Sequence, residues 1–160
     1  AQGLSFRTRI QVNVEPTPTN LTYYIDGDTG NDNNDGLSYA TALKTFEAAD
    51  QRVKPGDTVL VYESEVPYAW HTVEEYEANP GLYASVRNGA VSLDTSGLPE
   101  AHITYKAAEG QAPVIQANGV WQTVQITGNY IDFEGFTPLE KAVVDEFLTD
   151  VEEGGVFGSA

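Results

Sequence analysis

The stretch from Tyr23 to Tyr62, YYIDGDTGNDNNDGLSYATALKTFEAADQRVKPGDTVLVY, constrains the fold more than any other part of the chain. A short strand over 23–25 runs into a loop crowded with Asp, Asn and Gly. Leu43, Phe46, Ala49 and Val53 then recur at helical spacing, with Lys44, Glu47, Asp50 and Lys54 elsewhere, which predicts a short amphipathic helix. Lys54-Pro55-Gly56-Asp57 must end that helix. Proline lacks the amide donor and biases Lys54 away from helical geometry, and Gly56 permits the reversal into an apolar strand over 58–62.

Further apolar runs follow at 91–93, 103–105, 114–115, 120–126 and 130–136. Asp94-Thr95-Ser96-Gly97, Glu109-Gly110 and Gly128-Asn129 punctuate them. Short strands with Gly and Asn at the corners are what stacked rungs require, although no strict internal repeat sets a period.

Three separated motifs also carry a resemblance. The first is the 23–62 stretch with its KPGDTV turn. The second is Ser96-Gly97-Leu98-Pro99, then His102-Ile103-Thr104-Tyr105-Lys106-Ala107-Ala108-Glu109-Gly110 and Ala112-Pro113-Val114-Ile115. The third is Tyr130-Ile131-Asp132-Phe133-Glu134-Gly135-Phe136. In this order they resemble the amino-terminal part of secreted right-handed parallel β-helix proteins of the pectate-lyase-like group. The resemblance implies an all-β fold, a short right-handed parallel β-helix-like solenoid with a short capping helix. To this the flanking sequence adds an amino-terminal strand and a carboxy-terminal amphipathic helix. In the lyases of that group the calcium-binding acids and the basic catalytic residue lie on later coils, which have no counterpart here, so no catalytic residue is assigned. Lys106 matches a residue of the family's first rungs whose role is structural. Such scaffolds host lyases, hydrolases, adhesins and inert structural parts, so the resemblance speaks to fold before function.

The flanks divide the chain. Residues 1–14 alternate Phe6, Ile10, Val12 and Val14 against Arg7, Arg9, Gln11 and Asn13, a strand with one face to bury and a backbone that must pair. These residues (Phe6, Arg7, Arg9, Ile10, Val12 and Val14) are expected either to fold back on their own domain or to be donated to a neighbour. A Pro/Thr linker covers 15–22, the β-helix-like domain 23–136, and a helix and tail 137–160. Thr137-Pro138-Leu139-Glu140 reads as an N-cap, a first-turn proline and a capping-box glutamate. Leu139, Val143, Phe147 and Val151 form one stripe, expected to cap the solenoid or meet another chain.

Two candidate sites stand out. Asp26, Asp28, Asp32, Asn34 and Asp35 supply oxygen ligands along a loop whose glycines allow tight turns, the pattern of a calcium (Ca2+) loop. The EF-hand pattern fails, because Gly30 occupies a ligand position and no closing Glu follows; a turn of Asx side chains bonding their own backbone is the other reading and the plainer one. The second site lies in residues 63–90, an insertion against the family pattern. It sets Tyr68, Trp70, Tyr76 and Tyr83 among carboxylates, candidate contacts for a glycan or for a second subunit. His71 has no evident partner in sequence, and His102 reads as structural.

With 24 acidic and 8 basic residues the chain carries a formal charge of −16, which argues against nucleic acid and anionic membrane surfaces. No cysteine is present, so no disulfide or thiolate chemistry is available. No apolar run reaches transmembrane length. The opening Ala1-Gln2-Gly3 fits a product of signal removal, so a secreted or cell-surface location is expected. Two functional readings follow. The first is an extracellular structural subunit that self-assembles into a filament or sheath, as a homo-oligomer or polymer. The alternative is a carbohydrate-active, pectate-lyase-like domain that engages a polysaccharide, as a fragment of a lyase or hydrolase or as a glycan-binding module.

Overall fold

A computed structural model describes residues 15–79 and 89–138. The expectations placed on Phe6, Arg7, Arg9, Ile10, Val12 and Val14, on Tyr83, and on the helix stripe after Pro138 lie outside the described residues. In chain order the strands are β1 (Thr22–Ile25), β2 (Thr58–Val61), β3 (Gly89–Leu93), β4 (Ile103–Ala107), β5 (Val114–Ile115), β6 (Gln122–Ile126), β7 (Ile131–Glu134) and β8 (Thr137–Pro138). Among the described residues there are also two short helices, α1 (Phe46–Asp50) and α2 (Val73–Ala78), and one 3-10 turn at Tyr39–Thr41. The fold is all-β, and among the described residues the pairs formed by β1–β8 are all parallel.

Three sheets are visited in rotation. One holds β1, β2, β4 and β7 in that order, a second pairs β3 with β6, and a third pairs β5 with β8. Tyr68 adds a bridge to the third sheet ahead of β3: its amide donates to the Val114 carbonyl and its carbonyl accepts from the Gln116 amide, each at 2.8 Å. From β2 onward the chain therefore passes through the first, third and second sheets before returning to the first. Tyr23, Val59, Tyr105 and Phe133 stand in one inward column across the four-stranded sheet, and Ile25 stands over Val61. Thr22, Thr58, Thr104 and Asp132 line the opposite face, as the period of two demands. Val59, Val61, Ile25, Ile103 and Tyr105 are wholly buried, and each such apolar side chain stabilises the fold by about 1.5–3 kcal/mol.

The KPGD turn is the clamp between the start of the described chain and the sheet. Asp57 is fully buried. Its Oδ1 accepts from Thr19 Oγ1 (2.6 Å) and the Leu21 amide (2.9 Å), and its Oδ2 accepts from the Lys54 amide (2.9 Å). Thr19 also donates its amide to the Pro55 carbonyl at 2.8 Å. Gly56 has φ 90°, and a Cβ there would lie 2.5 Å from the Thr19 carbonyl oxygen, so only glycine fits. The last residues of the Pro/Thr segment are thus docked, and Thr22 already belongs to β1.

Three expectations need correction. Leu43 is not helical: it is bridged to Ile25, donating its amide to the Tyr24 carbonyl and accepting from the Asp26 amide. The helix starts only after Thr45, whose Oγ1 accepts from the Ala48 amide as N-cap. Residues 73–78, read as part of an irregular insertion, form α2, closed by a capping box between Thr72 and Glu75. Thr137 and Pro138 do not open a helix; they pair with Val114 and Ile115 as β8. Proline is tolerated there because β8 is the last strand of its sheet among the described residues.

Candidate functional site

The polar loop is tied down by its own acids. Asp26 is buried, and its carboxylate accepts from the Asp28 amide (2.9 Å), the Thr29 amide and hydroxyl, and the Tyr39 hydroxyl (2.9 Å). Burial pushes the Asp26 carboxyl up, but the Thr29, Asp28 and Tyr39 hydrogen bonds outweigh it and hold the group below the usual carboxylate range. Asp32 accepts from the Lys44 and Thr45 amides and the Thr45 hydroxyl, which secures the start of α1. Asn34 donates to the Ala42 carbonyl, and Asp35 accepts from the Leu37 amide and the Thr41 hydroxyl. Asp28 reaches out of the loop, both oxygens accepting from the Glu65 amide at 2.9 and 3.1 Å. The five predicted calcium ligands thus bond separate backbone and hydroxyl partners. Among the described residues no group of three or more His, Cys, Asp or Glu is placed to hold a metal ion.

The same Asp28 contact brings residues 63–79 against the loop and α1, and between them lies a cleft of about 920 Å³. Its walls include Asp28, Lys44 and Glu47 on one side and Glu65, Trp70 and Glu74 on the other. Tyr68 is a core residue here rather than an accessible contact. It is 7% exposed, its hydroxyl donates to the Tyr62 carbonyl (2.7 Å) and accepts from the Gly27 amide (2.9 Å), and Phe46 packs edge-on at 5.3 Å. Burial pushes its phenol up, so it stays protonated and keeps the donor role. Trp70 is half-buried in the cleft wall, edge-on to His71 with ring centroids 5.4 Å apart.

His71 has the partner that sequence did not reveal. It is buried, its Nε2 donates to the Asn118 carbonyl, and Asn118 Nδ2 returns a bond to the His71 carbonyl at 2.8 Å. An acceptor on Nε2 fixes a proton on that nitrogen. Tyr76 stacks on His71 at 5.9 Å and lies over Gly119, where a Cβ would fall 1.9 Å from the Tyr76 ring. His71 and Tyr76 therefore brace the segment that carries Trp70. His102, on the far side of the clamp, bonds Asp132 through Nδ1 at 3.1 Å and links β4 to β7.

No protein-family model matches the chain, and no curated protein matches it. Among solved structures it is similar to a rhamnogalacturonan lyase, with 22% identity and a TM-score of 0.50 over 74% of this chain and 28% of that one. It is also similar to XylC, solved with xylose, with 24% identity and a TM-score of 0.40 over 60% of this chain and 12% of that one. The likeness is one of fold. The rhamnogalacturonan lyase match agrees with an all-β protein built from parallel sheets, and the chain spans less than a third of either neighbour. Among the described residues no helix is long and apolar enough to cross a membrane.

One exposed aromatic was missed in the sequence. Trp121 is 79% exposed beside a second cavity of about 580 Å³ lined by Val124, Phe133 and Phe136. It falls in a predicted strand, 120–126, but β6 begins only at Gln122, so Trp121 precedes the pairing with β3. A run of apolar residues gives no sign of that break.

Proposed function

We propose that the chain is a carbohydrate-binding portion of a parallel β-helix-like protein, and that the cleft between the polar loop, α1 and residues 63–79 receives the glycan. The observation that carries this reading is Trp70, an indole half-exposed in a cleft wall otherwise rich in carboxylates. An aromatic face stacks on the C–H face of a sugar ring, while carboxylates and amides take its hydroxyls. The cyclic passage through three parallel sheets supports the β-helix part, and the rhamnogalacturonan lyase likeness agrees with it at the level of fold. The test is titration of uncharged oligosaccharides against the intact chain and Trp70→Ala. Retained structure with lost binding is the expected result, and equal binding by both proteins would contradict the reading.

A second reading, a structural subunit that self-assembles at an extracellular surface, draws on a different observation. At the β6–β7–β8 end the Phe133 and Phe136 rings stack 4.1 Å apart in the smaller cavity, next to the exposed Trp121. An apolar end of this kind is suited to contact with a further copy. The donated strand of that reading, 1–14, lies outside the described residues.

A further inference from the structure

We propose that the cleft selects uncharged glycan chains and rejects polyuronates; this rests on the carbohydrate-binding reading and narrows its substrate class. The ground is the charge of the lining. Asp28, Glu47, Glu65, Glu74 and Glu75 all border the cleft, against Lys44 as the single lysine or arginine among its described lining residues. Two of these acids are fixed in place by backbone amides, Asp28 by Glu65 and Glu75 by Thr72 at 2.8 Å. They cannot swing away from an incoming carboxylate without giving up those bonds. The described arginine, Arg52, is committed elsewhere, donating to the carbonyls of Ala48, Asp32 and Asn34. None of the described lining residues offers the forked guanidinium that pairs with a sugar carboxylate. Neutral hydroxyls meet no such penalty, because carboxylate oxygens accept from them, and Ser64 and Gln116 add polar groups to the same wall. The whole chain, at −16, repels a polyanion before it arrives.

The experiment compares one backbone in two charge states: fully methyl-esterified and de-esterified galacturonan oligomers of equal length, with uncharged hexose and pentose oligomers alongside. Binding to the intact chain is measured by calorimetry at low and high salt, and again with calcium added. The uncharged members bind at least about tenfold tighter at low salt, and the gap narrows as salt screens the lining. In Glu65→Gln with Glu74→Gln the acidic oligomer gains affinity while the esterified one holds its own. Equal or tighter binding of the acidic oligomer at low salt, with or without calcium, overturns the selectivity and leaves the glycan site standing. Binding of none of the uncharged oligomers overturns the site itself and the selectivity with it.

Discussion

Asp57 shows how much a single side chain can hold. Its carboxylate joins the KPGD turn to residues 19–21 from a fully buried position. Asp57→Ala leaves two backbone amides and a hydroxyl without their acceptor, and urea unfolding should show a loss of about 3 kcal/mol. Asp57→Asn, which keeps one acceptor oxygen, should cost less. Asp26 gives the pH dependence. Its folded pKa is depressed, so its contribution is fully present above the unfolded value of about 3.9 and is lost as pH falls through the lower folded value. The stability gap between wild type and Asp26→Asn should therefore be constant near neutrality and shrink below about pH 4. A gap that persists unchanged into strong acid would contradict the assignment. The Asp-rich loop was legible as either a metal loop or a set of Asx turns. Sequence could not choose, because the partners that occupy Asp28 and Asp32 lie far along the chain at Glu65 and at Lys44 and Thr45.

Local signals set the elements, and long-range pairing sets their limits. The Thr72-x-x-Glu75 box was present in the sequence, but α2 is short and follows an aromatic run without helical period, so its cap was the only sign of it. Thr72→Ala should cost about 1 kcal/mol and raise protease cleavage within 73–78 more than elsewhere. Gly119 holds the other side of that segment. With φ 78° and the Tyr76 ring over it, Gly119→Ala strains the backbone and pushes Tyr76 off His71. Destabilisation of about 1–3 kcal/mol and weaker glycan binding are expected from thermal melts and titration. Thr137-Pro138 shows the opposite case: a convincing helix start is drawn into β8, because Val114 and Ile115 offer a parallel partner.

Across the described residues the parallel stacking was legible in the order of the motifs, whereas the rotation through three sheets was not, because it depends on which distant strands pair. The cleft was readable only in part. Trp70 and the acids of the insertion were visible, but their meeting with Asp28, Lys44 and Glu47 depends on how the loop docks. The exposed Trp121 makes its own prediction. If it drives association, sedimentation velocity of the intact chain should show concentration-dependent species that Trp121→Ser removes. The glycan reading has a built-in reporter, because the chain has two tryptophans. In Trp121→Phe, Trp70 reports alone. The first measurement to make is acrylamide quenching of that variant's fluorescence with increasing uncharged oligosaccharide. A glycan stacked on Trp70 shields it, so quenching should fall saturably with ligand. Quenching unchanged at every ligand concentration would contradict the assignment of the cleft as a glycan site.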